Sequence, residues 1–141
     1  MDIKDPLHSF SISGRVRVAL PKPEPRARTK ARKDRHEAAV IKAVRAACVE
    51  RDGYCRLFGA GLGTCRGESE MAHLPKWRRS ATRGQDAEQR HTTVGAVMLC
   101  QSHHHALDGR SYPRLYVEHG EFGADGNLIW TCNGVQVRER R

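Results

Sequence analysis

The chain has 141 residues and a formal net charge of +9, and 38% of its residues are hydrophobic but only 6% aromatic. This length predicts one domain with a core of modest size. We find no secretory signal and no apolar run near the roughly 20 residues that a membrane helix needs. The charge favours a polyanionic partner such as nucleic acid, with a merely soluble basic protein as the alternative. We therefore expect a soluble cytoplasmic protein.

Residues 1–33 contain little core material and are predicted to form a flexible basic arm. Arg15-Val16-Arg17-Val18 alternates as a short edge strand would. Pro21, Pro23 and Pro25 then disfavour a helix, and the Arg- and Lys-rich run after them repels itself. Such an arm can lie along a phosphate backbone, and a solvated tail without a special role is the alternative.

An amphipathic helix is predicted from Asp34 to about Arg51. Asp34 and Glu37 resemble a capping box, and Asp52-Gly53 supplies the stop. The predicted apolar stripe consists of Val40, Ile41, Val44, Ala47 and Cys48. We interpret Cys48 as a core thiol rather than a metal ligand.

Two short strands are predicted at about 69–74 and 95–99, and a helical segment at 100–108 follows the second directly. Residues 75–91 between the strands are polar and basic, and a loop of that length is usually functional or mobile.

The C-terminal residues 111–141 are predicted to form a small β-hairpin extension of the same domain. Asn133-Gly134, between two apolar segments, is a strong signal for a two-residue hairpin. Cys132 is interpreted as a packing residue.

A candidate structural metal site consists of Cys55, Cys65, Cys100 and His103. The spacing of Cys100 and His103 is that of one half of a zinc knuckle, and the other two cysteines could supply the second half. The segment around Cys55 and Cys65 is Gly-rich and poor in apolar residues, so a bound zinc ion would hold it together. Two ordinary structural thiols are the alternative.

Three consecutive histidines follow Cys100. Successive residues of a helix diverge by about 100°, so His103 can join the cysteines while His104 faces a separate site. Asp108 lies on the same helical face as His104 and could share a metal ion with it. A surface histidine is the alternative for His104, and His105 is expected to face solvent or core.

Three segments together resemble the HNH endonucleases, in particular the zinc-knuckle type common in bacteriophages and prophages. They are Arg51-Asp52-Gly53-Tyr54-Cys55-Arg56, Met71-Ala72-His73-Leu74 and Met98-Leu99-Cys100-Gln101-Ser102-His103-His104. The resemblance covers roughly residues 34–110. It implies a ββα-metal (His-Me finger) core with a zinc knuckle. Together with the amphipathic helix predicted before it and the β-hairpin predicted after it, this core gives an α+β fold.

The resemblance also implies roles for individual residues in the hydrolysis of DNA phosphodiester bonds. His73 matches the general base, and His104 matches a ligand of the catalytic ion, which Asp108 would share. Mg²⁺ or Mn²⁺ suits that ion, and Zn²⁺ suits the knuckle, where His103 replaces the usual second cysteine. The residues expected to hold flanking phosphates are Lys76, Arg78, Arg79 and Arg83.

Two positions depart from the family pattern. Ala72 stands where an acidic or second histidine ligand is common, and Gly95 lies near the expected middle asparagine. Asp108 or His91 could supply the missing coordination or backbone-pinning role. The alternative function is a zinc-stabilised DNA-binding or phage DNA-packaging accessory module with a degenerate nuclease centre. Expected partners are DNA and phage packaging or recombination proteins, in the host cytoplasm if the chain is phage-encoded.

Overall fold

The computed structural model describes residues 21–139, so the expected edge strand at residues 15–18 lies outside the described residues. Within this part, the chain forms a mixed α+β architecture of three helices and two small antiparallel sheets. The elements are α1 (Arg26–Asp52), β1 (Ser69–His73), α2 (Ala87–Arg90), β2 (Ala96–Cys100), α3 (Gln101–Leu107), β3 (Leu115–His119), β4 (Leu128–Cys132) and β5 (Val135–Arg138). None of the helices in residues 21–139 is long and apolar enough to cross a membrane.

Helix α1 begins at Arg26, well before the predicted start at Asp34, so the prediction of an irregular segment at 26–33 was wrong. Pro25 occupies the N-cap position, where its missing N–H removes no intrahelical hydrogen bond. Alanine, arginine and lysine then favour the helix through their intrinsic propensities, and this outweighs their mutual repulsion. The predicted end is confirmed, because Gly53 has a φ of 71° and donates its N–H to the Val49 carbonyl.

The predicted apolar stripe of α1 is only partly buried. Cys48 is fully buried, as expected for a core thiol, whereas Val44 is half-buried and Ala47 is exposed. The helix therefore packs into the core through Cys48 near its C-terminal end, and its earlier turns make polar contacts through His36 and Glu37.

Strands β1 and β2 form an antiparallel hairpin that leads directly into α3. Ser69 lies opposite Cys100, and His73 lies opposite Ala96. The observed bounds agree with the predicted strands and helix to about one residue at each end. The pairing brings the start of β1 next to the start of α3.

All five residues of β2 are buried. Because successive side chains of a strand point in opposite directions, both faces of β2 are therefore covered. Ala96 and Met98 pack with Cys48 of α1. Val97 and Leu99 belong to the main core.

The outer edge of β2 is covered by the segment that ends α1. The N–H of Met98 donates to Asp52 Oδ2 at 2.9 Å, and the Met98 carbonyl accepts the N–H of Arg56 at 2.9 Å. Arg51 Nη2 donates to the Ala96 carbonyl at 2.6 Å. These contacts satisfy backbone groups that a neighbouring strand would otherwise pair.

The C-terminal part forms a three-stranded sheet in the order β3-β4-β5. Asn133 and Gly134 have φ values of 49° and 73°, which the predicted two-residue hairpin requires. Leu128 and Trp130 are fully buried and belong to the same core as Leu99. The sheet and the β1–β2 hairpin therefore share one core.

Candidate functional site

The side chains of Cys55, Cys65, Cys100 and His103 converge, with their ligand atoms within 4.8 Å of one another. His103 Nδ1 lies 3.5 Å from Cys55 Sγ, 3.6 Å from Cys65 Sγ and 3.1 Å from Cys100 Sγ. Ligands of a tetrahedral zinc ion at ordinary bond lengths would be about 3.6 Å apart for nitrogen and sulfur. The donor set and its spacing fit a metal ion such as zinc.

The surroundings of His103 select Nδ1 as the metal-facing nitrogen. Nε2 lies 3.3 Å from the carbonyl of Leu62, an acceptor that favours a proton on Nε2. A carbonyl partner on the other nitrogen is usual for histidines that bind metals. The irregular loop that contains Cys55 and Cys65 thereby meets the first turn of α3.

The electrostatics of the cluster favour thiolate formation at Cys100. Burial opposes ionisation, but hydrogen bonds from Ser102 and from the backbone of His103 and Arg66 outweigh it and lower the pKa of the thiol to about 6. The hydrogen bond with Cys55 and the nearby sulfur charges raise the pKa of His103 to about 9. Burial and the neighbouring Cys55 raise the pKa of Cys65 to about 12.

His104 lies apart from the cysteines, between two carboxylates. Its Nδ1 is 2.6 Å from Glu70 Oε2, and its Nε2 is 3.4 Å from Asp108 Oδ2. Glu70, in β1, was not identified as a site residue from the sequence. The only sequence feature that could have indicated it is its place in the predicted strand that also carries His73. Because a carboxylate accepts, Glu70 favours a proton on Nδ1, and Nε2 is then the ring nitrogen that could bind an ion together with Asp108.

Asp108 also pairs with two arginines. Arg78 Nη2 lies 3.3 Å from Oδ1, and Arg110 Nη2 lies 2.9 Å from Oδ2. Arg78 additionally donates to the carbonyl of Leu107. Of the four residues expected to hold phosphates, Arg78 is thus engaged within the protein, whereas the exposed side chains are Lys76, Arg79 and Arg83.

His73 lies in a separate cleft of about 340 Å³. The cleft is lined by Glu37, His73, Trp77, Arg79, Thr82, Arg90 and His91. Burial lowers the pKa of His73, and the neighbouring His91 and His104 rings add smaller effects in the same direction. The ring is therefore neutral near pH 7 and can accept a proton.

His91 contacts His73 and a carboxylate of α1. His73 Nε2 lies 3.1 Å from His91 Nδ1, and His91 Nε2 lies 3.0 Å from Glu37 Oε1. Glu37 was expected to cap a helix at Asp34, but it lies within α1 and reaches across to His91. The sequence indicated His91 as a candidate residue without indicating this partner.

Gly95 and Ala72, the two positions that depart from the expected HNH pattern, both lie where a larger or charged side chain does not fit. A Cβ atom at Gly95 would lie 2.2 Å from Cγ of Trp77, so the indole ring occupies the space of any side chain there. Ala72 is fully buried in the main core, where a charged ligand would have to be desolvated.

No protein-family model, curated protein or solved structure matches this chain.

Proposed function

We propose that this chain is a metal-dependent endonuclease of the HNH type that hydrolyses DNA phosphodiester bonds. The observation that carries the proposal is the separation of three histidines into three chemical settings. His103 lies among three thiols, His104 lies between two carboxylates, and His73 lies neutral in a cleft lined by arginines. In that order, these settings suit a structural metal site, a second ion site and a general base.

Zinc is proposed as the ion of the Cys55, Cys65, Cys100 and His103 cluster. Three sulfur ligands and one imidazole form a closed structural set with no open position for a substrate. Binding would anchor the Gly-rich loop to α3 and so fix the position of His104, the residue after His103.

His104 Nε2 and Asp108 Oδ2 are proposed to hold a divalent ion such as Mg²⁺ or Mn²⁺. Their 3.4 Å separation is close to the roughly 3 Å between adjacent ligands of an octahedral ion of this size. When bound, the ion would stabilise the negative charge that develops on the phosphate. Asp108 would then exchange at least one of its arginine contacts for the ion.

His73 is proposed to accept the proton of the attacking water. Its lowered pKa keeps the ring neutral at physiological pH, which a general base requires. Arg79 lines the same cleft and is exposed, so it can contact a phosphate beside the scissile bond. Exposed Lys76 and Arg83 would contact flanking phosphates.

Nicking of supercoiled plasmid tests the proposal. With Mg²⁺ or Mn²⁺ we expect nicking by the wild type and a loss of about 100-fold or more in His73→Ala, the usual scale for a lost general base. His36→Ala is the matched control, because His36 is an exposed histidine that contacts Glu88 and not His73. Equal nicking by the wild type and His73→Ala would show that His73 is not the base.

The second candidate is a DNA-binding module that does not cleave. The ion pairs of Asp108 with Arg78 and Arg110 favour it, because they neutralise a proposed ligand. Salt-sensitive DNA binding without nicking in any of these metals would support this alternative, including a role beside phage packaging proteins.

A further inference from the structure

We infer that Glu37 and His91 are positioning residues that fix the ring tautomer of His73, with the proton on Nε2 and the lone pair on Nδ1. The inference rests on the proposed function, because the tautomer decides which nitrogen of the proposed base His73 is available to water. The proton arrangement itself can be observed without any cleavage.

The three residues form a continuous chain of hydrogen bonds from α1 to the cleft. Glu37 Oε1 lies 3.0 Å from His91 Nε2, and His91 Nδ1 lies 3.1 Å from His73 Nε2. Arg90 Nη2 lies 3.1 Å from the same Glu37 oxygen, and this ion pair holds the carboxylate in place. The His91 side chain is only 12% exposed, so water competes weakly for its nitrogens.

When both histidine rings are neutral, only one arrangement of protons satisfies the hydrogen bonds from Glu37 through His91 to His73. An ionised carboxylate only accepts, so His91 Nε2 must carry a proton. The Nδ1 of a neutral His91 is then an acceptor, and His73 must donate to it from Nε2. His73 Nδ1 keeps its lone pair and makes no hydrogen bond within residues 21–139.

The ionisation of Glu37 supports this count. Its hydrogen bond with His91, together with the charge of Arg90, lowers the pKa of the carboxyl despite some desolvation. The carboxylate is therefore present at neutral pH, and the acceptor end of the chain is fixed.

A second histidine–carboxylate pair provides a matched control. His36 Nε2 lies 2.5 Å from Glu88 Oε1, and this pair also joins α1 to α2. Both of its side chains are more than half exposed, and neither lines the His73 cleft. Loss of this pair removes a similar contact without touching His73.

Nitrogen-15 NMR of the histidine rings at neutral pH is the test. We expect the Nε2-protonated tautomer of His73 in the wild type and in Glu88→Leu, and a mixture of tautomers in Glu37→Leu and His91→Phe. His91→Gln, whose amide oxygen can still accept from His73, should restore the wild-type tautomer. The opposite tautomer in the wild type, or an unchanged tautomer in both Glu37→Leu and His91→Phe, would overturn the inference.

Plasmid nicking by the same variants separates this inference from the proposed function. We expect kcat to fall about tenfold or more in Glu37→Leu and His91→Phe with KM for DNA unchanged, because proton transfer and not binding is affected. His91→Gln should recover most of this loss. The expected tautomers without any nicking would overturn the proposed function and support the inference.

Discussion

At the scale of single residues, Trp77 explains why position 95, near which the HNH resemblance predicts an asparagine, is a glycine. The indole ring lies directly over the Gly95 backbone, and the Gly95 carbonyl accepts the N–H of Leu74 at 2.8 Å. The Trp77 ring also lies 5.1 Å from the ring of His119, in β3. The absent side chain is thus replaced by packing that joins the two sheets.

We expect Gly95→Ala to lower the free energy of unfolding by about 1–3 kcal/mol, because the added methyl group forces the indole to move. Gly120→Ala is the control, since a Cβ at Gly120 meets nothing within 4 Å. Urea denaturation measures both. If the methyl group is tolerated because Trp77 moves freely, Gly95→Ala will unfold like the wild type.

Cys65 provides a test of the proposed zinc site. We expect about one zinc per purified wild-type chain and at least tenfold weaker zinc binding in Cys65→Ala, because one of four ligands is lost. Cys132→Ala should keep its zinc, since Cys132 is buried but lies in β4, outside the cluster. Metal analysis and competition with a chromogenic chelator measure the difference. Zinc retained equally by both variants would contradict the assignment.

At the scale of elements, Asp52 links the end of α1 to β2. Its side chain is inaccessible to solvent and accepts hydrogen bonds from Arg51 and from the N–H of Met98. Burial favours the neutral acid, but these hydrogen bonds outweigh it and lower the pKa of Asp52. The position of the strand that carries Cys100 therefore depends on an ionised carboxylate.

This linkage predicts a pH dependence of stability. A carboxyl whose pKa is lower in the folded state contributes stability above its unfolded pKa of about 3.9, and the contribution is lost as the pH falls through the folded value. We expect Asp52→Asn to cost about 2–4 kcal/mol at pH 7 and much less near pH 2. Urea denaturation at both pH values measures this. A cost for Asp52→Asn that is the same at both would contradict the linkage, and Asp34→Asn, at an exposed position, should change neither.

Sequence patterns predicted the elements better than the contacts between them. The β1–β2 hairpin and α3 were predictable because alternation, an apolar run and helical spacing are local signals. The start of α1 was not, because the prolines ended at Pro25 and helix propensity outweighed charge repulsion after it.

In the candidate site, too, only the features set by neighbouring residues in the sequence could be predicted. The spacing of Cys100, His103 and His104 indicated two separate settings, and the structure has them. Glu70 and Glu37 were not predictable as partners, because they lie 34 and 54 residues from the histidines that they contact.

At the scale of the whole molecule, Arg56 joins the C-terminal sheet to the rest of the fold. Its side chain is 1% exposed, and its Nη2 lies 2.5 Å from Glu139 Oε2. It also donates to the carbonyls of Ala124 and Gly126. Glu139 in turn accepts the indole N–H of Trp130 at 2.6 Å.

We expect Arg56→Ala to lower the free energy of unfolding by about 3–5 kcal/mol, because it removes the guanidinium from the largely buried carboxylate of Glu139 and from two carbonyls. Arg66→Ala, at an exposed position, should change it by less than about 0.5 kcal/mol. Chemical denaturation followed by tryptophan fluorescence compares the two variants. A similar midpoint for both would mean that the core alone holds the sheets together.

The cluster of three thiols has a consequence for redox chemistry. Cys55, Cys65 and Cys100 are free thiols with their sulfur atoms within 4.8 Å of one another, so a two-electron oxidant can convert two of them into one disulfide. That reaction removes two metal ligands at once, so the remaining thiol and His103 could no longer hold an ion by four protein ligands. The order of the proposed nuclease centre would then depend on the thiol–disulfide balance of the compartment in which the protein works.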